Sequence, residues 1–291
     1  MEGDSRSRRG CLRGCTGYRY PSYRDHRQTT RLGASFDRHI STYISGGGEM
    51  RLAAVIEYDG TNLFGWQTQP ERVTVQGEIE KALRQITGKE IRITGAGRTD
   101  AGVHALGQVA SFDYKESLPP DRLQIALNSV LPRSIFIKSI EEVSDSFDAK
   151  RDAASKLYRY RIIRARSPLR RAAAWEYQYP LDISRMRAAA DQLVGSHDYA
   201  SLCEVDDPRS SLTLDSIDIR EEGDEIIIEV KGRSFLYKMV RRMVGVMTEC
   251  GRGKIEPEII PQLFSRTKPV QTITAPANGL VLVKVVYPKE A

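Results

Sequence analysis

Cysteine and histidine are both scarce in this chain, with four of each among 291 residues. Cys11, Cys15, Cys203 and Cys250 form no C-x-x-C pair, which argues against a disulfide framework and a four-cysteine zinc site. His26, His39, His104 and His197 make neither H-E-x-x-H nor H-x-E, which argues against a zinc hydrolase or zinc deaminase. No apolar run approaches the roughly 18 residues that a membrane span needs. A strong excess of one charge is also missing. Residues 1–49 hold nine Arg against five acids, and the rest of the chain carries 35 basic and 33 acidic side chains. A case for nucleic acid must therefore rest on local patches, not on the net charge of +6.

Residues 1–49 also lack a hydrophobic period of 2 or 3.6. They are rich in Arg, Ser, Thr and Gly, and cannot bury enough apolar surface to offset the entropy of ordering. They read as a disordered basic tail. Without an apolar core region the tail is not a secretory signal, and its five acids fit an organellar transit peptide poorly. Met50 directly precedes the first clean strand and follows Gly46-Gly47-Gly48-Glu49, whose purine-rich codons suit a ribosome-binding site. The expectation is that translation starts at Met50.

From Met50 onward the pattern runs twice through the same order. Leu52, Ala54, Ile56 and Tyr58 alternate as in a strand over 51–59. Thr74 is placed to cap a helix whose Val75, Ile79, Leu83 and Ile86 share a face, and Gly88 ends it. A short strand at 91–94, a Gly-rich loop at 95–104, a strand at 107–113, a helix at 121–130 and a strand at 135–143 follow. The second half gives a strand at 156–165, a helix at 183–194 closed by Gly195, and strands at 214–221 and 225–231. Helices at about 235–250 and 257–265 and a strand at 279–287 complete it. The expected fold is α+β: two ferredoxin-like β-α-β-β-α-β halves, over 50–153 and 154–291. Their antiparallel sheets would line a central cleft, with the helices on the opposite side.

The most informative stretch is Gly95-Ala96-Gly97-Arg98-Thr99-Asp100-Ala101-Gly102-Val103-His104. Three glycines in eight residues imply a tight loop. Asp100 stands where a dinucleotide fingerprint has its third glycine, and a carboxylate there repels a pyrophosphate. A carboxylate presented on a rigid loop suits a nucleophile or a general base. A neighbouring guanidinium such as Arg98 favours its charged form and can grip phosphate. The plainer alternative is a turn-capping Asp100 with Arg98 in a surface ion pair.

The run GRTDAGVHA followed by QVASF resembles the signature of the tRNA pseudouridine synthase A family. EYDGTNLFGWQTQP at 57–70, VQGEIEKAL at 75–83, KLYRYRI at 156–162 and GSHDY at 195–199 resemble other blocks of that family in the same order. So do RSFLYKMVRRMVG at 233–245 and APANGLVLVKVVYP at 275–288. The resemblance implies an isomerase, an intramolecular transferase that turns uridine into pseudouridine in the anticodon stem-loop, at tRNA positions 38, 39 and 40. It implies Asp100 as the catalytic residue and Arg241 as its basic partner. Tyr158 corresponds to the active-site Tyr, Leu280 to an apolar pocket residue, and Arg98 to an Arg that holds the place or phosphate of the flipped nucleotide. No cofactor and no metal is expected, because the reaction is an isomerisation. A homodimer acting on tRNA in the cytoplasm is expected, with no membrane association.

The basic run Lys150, Arg151, Lys156, Arg159, Arg161, Arg164, Arg166, Arg170 and Arg171 suits an RNA backbone, with Arg159 and Arg161 as candidate contacts. Met239, Met243 and Val246 would face the core of their helix, so Arg241 and Arg242 need separate partners. His104 and His197 read as structural. The acids in Cys203-Glu204-Val205-Asp206-Asp207-Pro208-Arg209 depart from the family pattern and would repel phosphate. The alternatives are a non-catalytic RNA-binding protein and a pseudouridine synthase acting on other uridines.

Overall fold

Alternating apolar side chains build the first strand as the sequence predicts. β1 runs Met50–Tyr58 and buries Leu52, Ala54, Ile56 and Tyr58. α1 spans Val75–Thr87. At its start Thr74 Oγ1 accepts a hydrogen bond from the Gly77 N–H at 3.2 Å. At its end Gly88 turns left-handed and its N–H donates to the Arg84 carbonyl. β2 is only Thr94–Gly95, shorter and later than predicted. The reason is a contact with α1: the Ile93 N–H donates to the Glu80 carboxylate and the Ile93 carbonyl accepts from Gln76, so neither is left for a ladder. β3 (His104–Tyr114), α2 (Pro120–Val130) and β4 (Ile135–Val143) close the first set. This computed structural model describes residues 49–115, 118–204, 207–265 and 273–288, all within the unit Thr42–Ala291. The expectations for 1–48 and for Asp206 lie outside the described residues.

The second set starts with β5 (Ser155–Ile163), followed by a two-residue β6 (Trp175–Glu176) that the pattern did not reveal. α3 (Ile183–Leu193) is capped by Asp182, whose carboxylate accepts from the Ser184 and Arg185 N–H groups. Gly195 does not stop this helix but opens β7 (Gly195–Asp198), which pairs with β8 (Ser211–Glu222). β9 spans Glu225–Gly232. α4 runs Met239–Gly251 and begins later than predicted, because Lys238 sits at φ +59 and residues 233–238 form a loop. The helix predicted at 257–265 starts as a 3-10 turn, Pro257–Ile259, before the short α5 (Ile260–Phe264). β10 (Leu280–Val286) ends the fold.

All ten strands join one sheet in the order β4-β1-β3-β10-β5-β9-β8-β7, with β2 on β3 and β6 on β5. The sheet is mixed, which corrects the expectation of purely antiparallel pairing. β10 runs antiparallel to β5 over six residue pairs, and that long ladder sets its direction. It meets β3 only at Val281–His104 and Leu282–Ala105, in parallel.

Period 2 then decides what each strand face carries. On β5, Tyr158, Tyr160 and Ile162 join one apolar cluster with Ile226, Ile228 and Val230 of β9 and with Met239, Val240 and Met243 of α4. Arg159 and Arg161 point the other way. The expected placement of helices opposite the cleft is therefore corrected. α4 covers the same face as Tyr158, because only that face is apolar enough to hold a buried helix.

The Thr74 cap gives a direct test of local folding. Thr74→Ala is expected to cost about 1 kcal/mol, read as a lower urea midpoint with an unchanged slope.

Candidate active site

The Gly-rich loop is fixed from below by β3 and from above by the segment that follows β1. The Ala96 N–H donates to the Val109 carbonyl at 2.8 Å, and Gln108 Nε2 donates to the Gly97 carbonyl at 2.8 Å. The Trp66 N–H donates to the Thr99 carbonyl, and the Gly102 N–H donates to the Leu63 carbonyl. The Tyr58 and Thr99 hydroxyls are 2.8 Å apart. Two glycines allow this close approach. Gly65 has φ +82, and a Cβ there would stand 2.5 Å from the Thr99 carbonyl oxygen. A Cβ on Gly95 would sit 2.4 Å from the Trp66 indole ring. The EYDGTNLFGW block thus acts as a clamp on the loop that presents Asp100.

Across the loop stands the N-terminal turn of α4. Arg241 Nη1 donates to Asp100 Oδ2 at 2.9 Å, and the two side chains are only 14% and 15% exposed. Arg241 Nε donates to the Ala275 carbonyl at 2.7 Å, and the Ala275 N–H donates back to the Arg241 carbonyl. The guanidinium is therefore held on two sides before it meets the carboxylate. Arg242 turns away and donates to the carbonyls of Ser201 and Cys203. The two neighbouring arginines do have separate partners.

Both groups line a cavity of about 1200 Å³. Tyr158 stands in its wall, 6% exposed, with its ring edge-on to Phe235 at 5.0 Å. Burial pushes its phenol well above the usual range, and the nearby Tyr58 and Asp100 add to that. The hydroxyl therefore stays protonated at neutral pH. Leu280 supplies an apolar wall, and Arg98 lies at the exposed rim. Four of the expected residues, Asp100, Arg241, Tyr158 and Leu280, are thus brought together, with Arg98 beside them.

Arg159 and Arg161 are not among the cavity-lining residues. Arg159 pairs with Glu229 at 2.6 Å and Arg161 with Glu225 at 2.7 Å, on the other face of the sheet. Arg164 pairs with Glu221, and Arg170 with Asp224 and Glu225. Most of the basic run is therefore neutralised locally. Lys150 and Lys156 do line the cavity, as does Arg233 from the loop before α4. Asp207 also lines it, but Arg209 binds its carboxylate at 2.8 Å and holds its pKa down to about 2.

The two described histidines are accounted for by packing. His104 Nδ1 lies 3.1 Å from the Gly60 nitrogen and 3.1 Å from Asp59 Oδ1, and its Nε2 lies 2.9 Å from the Ala172 carbonyl. His197 stacks on Phe264 at 4.0 Å. Among the described residues no group of three or more His, Cys, Asp or Glu is placed to hold a metal ion. No helix of the described residues is long and apolar enough to cross a membrane.

The geometry defines an α+β protein with a carboxylate held by a guanidinium in a deep, partly apolar cavity. A family model described as tRNA pseudouridine synthase matches residues 54–150 and 189–288. The tRNA pseudouridine synthase A of Thermoanaerobacter sp. (strain X514) is 42% identical over 238 residues, covering 80% of this chain and 98% of that protein. The protein of the same name from Brevibacillus brevis is 43% identical over 246 residues, covering 81% of this chain and 99% of that protein. That from Listeria monocytogenes serotype 4b is 43% identical over 245 residues, with the same shares. The chain belongs to the tRNA pseudouridine synthase family, a family of isomerases.

The buried phenol can be tested directly. Tyr158→Phe is expected to leave unchanged the number of tyrosines that titrate near pH 10, measured by phenolate absorbance. Loss of one such tyrosine would place the hydroxyl in contact with solvent.

Proposed function

We propose that this chain isomerises uridine to pseudouridine in the anticodon stem-loop of tRNA, at positions 38, 39 and 40, with Asp100 as the catalytic carboxylate. The observation that carries this reading is the Asp100–Arg241 pair, 2.9 Å apart, in a cavity walled by Tyr158 and Leu280. The reaction breaks the C1′–N1 bond, turns the base over and rejoins it through C5. Asp100 either attacks the sugar carbon or removes a sugar proton as the base leaves, and both routes start from the carboxylate form. A partly apolar cavity suits either route, because water would compete for the reactive sugar.

The remaining side chains take roles that their chemistry supports. The Tyr158 ring offers a face for the extruded uracil, and its neutral hydroxyl is a hydrogen-bond donor within the same wall. Leu280 keeps that wall dry. Arg98, exposed at the rim, suits the displaced nucleotide or its phosphate. Arg159 and Arg161 already have acidic partners on the far face, so the cavity's own cations are better placed for the RNA backbone.

On this reading residues 50–153 and 154–291 are two ferredoxin-like halves flanking an RNA-binding cleft. The strands β1, β3 and β4 on one side of β10 and β5, β7, β8 and β9 on the other support it. The active form is a homodimer acting on tRNA in the cytoplasm.

Release of tritium from C5-labelled uridine in unmodified tRNA tests the proposal, since rejoining through C5 must expel that hydrogen. The wild-type chain is expected to release it, and Asp100→Asn to lower the rate by about 10³-fold or more. Tyr158→Phe is expected to slow release while leaving tRNA binding intact. Binding without any release by the wild type would favour a non-catalytic RNA-binding protein. Release from uridines outside the stem-loop would reassign the target.

A further inference from the structure

The cavity contains a lysine that the reaction as proposed does not use. Lys156 is only 8% exposed, although its neighbours on β5 in the same basic run, Arg159 and Arg161, are 33% and 34% exposed with acidic partners. Its Nζ donates to the Arg233 carbonyl at 3.1 Å. An ammonium has three donors, so two have no protein acceptor among the described residues. The charges that bear on it are Lys150 and Arg233, both positive. Burial, reinforced by those two cations, lowers its pKa below the ordinary lysine value. All three line one cavity whose carboxylates, Asp100 and Asp207, are paired with Arg241 and Arg209, so Lys150 and Arg233 repel Lys156 without an acidic partner among the described residues to offset them. Such a cluster lowers its own energy by taking up an anion.

Its position decides which anion. A methyl built on Gly97 would stand 3.2 Å from Lys156 Cε and 3.9 Å from the Tyr158 hydroxyl. Lys156 and Tyr158 therefore flank one patch of wall, three residues before Asp100 in the loop. A nucleotide with its sugar at Asp100 and its base against Tyr158 carries its phosphodiesters on that same sugar. Asp100 is already paired with Arg241, and no ion pair joins its carboxylate to Lys156.

We propose that Lys156, backed by Lys150 and Arg233, forms a phosphate subsite that grips the RNA phosphodiester beside the target uridine. The inference rests on the reading of Asp100 and Tyr158 given above. It makes Lys156 a positioning residue that is distinct from the catalytic carboxylate.

The test measures binding of an unmodified anticodon stem-loop to the full-length protein across a salt series, for the wild type and Lys156→Met. Methionine keeps most of the apolar stem and removes the charge. The slope of log K against log salt is expected to become shallower by about 1. KM for tRNA is expected to rise roughly tenfold at low salt, with kcat held within a few-fold. Lys231→Met, on the opposite sheet face, removes the same charge elsewhere and is expected to leave the slope unchanged.

An unchanged slope in Lys156→Met overturns the subsite, even where kcat/KM falls, because that pattern means a contact to the base or a purely structural role. An equal change in Lys231→Met overturns it too. Should Lys156→Met lose its cooperative melt, lysine acetylation of the wild-type chain read by mass spectrometry replaces it. Protection of Lys156 by bound stem-loop supports the subsite, and equal labelling with and without RNA overturns it. Wild-type protein that binds without releasing tritium sinks the catalytic reading alone and leaves the salt slopes to judge the subsite.

Discussion

The ion pair between Asp100 and Arg241 joins two parts of the chain that are 141 residues apart, and much of the site is arranged around it. Taking two charges largely out of water is costly, and the cost is offset only when geometry is held tightly and remaining donors are satisfied. Here the geometry is held by backbone and side-chain hydrogen bonds on both sides of the pair. Arg241 is anchored by the Ala275 carbonyl, and the loop bearing Asp100 is clamped by Trp66, Tyr58 and Gln108. The loop and the start of α4 consequently define each other's position. Removal of either charge would leave the other buried without its partner.

A second constraint is the partition of charge between the two sheet faces. Period 2 places Tyr158 and Tyr160 on one face of β5 and Arg159 and Arg161 on the other. The far face neutralises its arginines with Glu225 and Glu229 of β9 and Glu221 of β8. The cavity face has fewer cations, but Lys156, Lys150 and Arg233 have no acidic partner among the described residues. A basic run in sequence thus becomes a zipper of ion pairs on one side and a small, concentrated positive field on the other. Field strength at the cavity depends on which cations lack partners more than on how many cations the run contains.

Much of the architecture was legible without coordinates. The cap at Thr74, the stop at Gly88 and the strand bounds at 135–143 follow from side-chain chemistry that acts within a few residues. The errors share a cause as well. β2 is short because Glu80 and Gln76, distant in sequence, take the backbone groups of Ile93. Gly195 enters a strand because β8 is there to receive it. α4 starts late because residues 233–238 are needed as a loop, where Phe235 packs on Tyr158. Each departure is a tertiary contact overriding a local preference.

The site divides along the same line. Local pattern singled out Asp100 on its Gly-rich loop, whereas Tyr158, Arg241 and Leu280 were expected from the resemblance to the tRNA pseudouridine synthase A family. Local pattern could not reveal that Gly65 and Gly95 exist to let Trp66 lie against the loop, since that requires two segments to meet in space. Nor could it separate Lys156 from Arg159 as partners for an anion. Both stand in one basic run, and only the strand pairing, through Glu229, decides which charge is already spent. The sequence by itself determined the elements and the chemical groups available, because those depend on neighbours along the chain. The tertiary structure alone decided which charges are paired, which are buried and which face the cavity, because burial and pairing are properties of surfaces that the chain brings together from a distance.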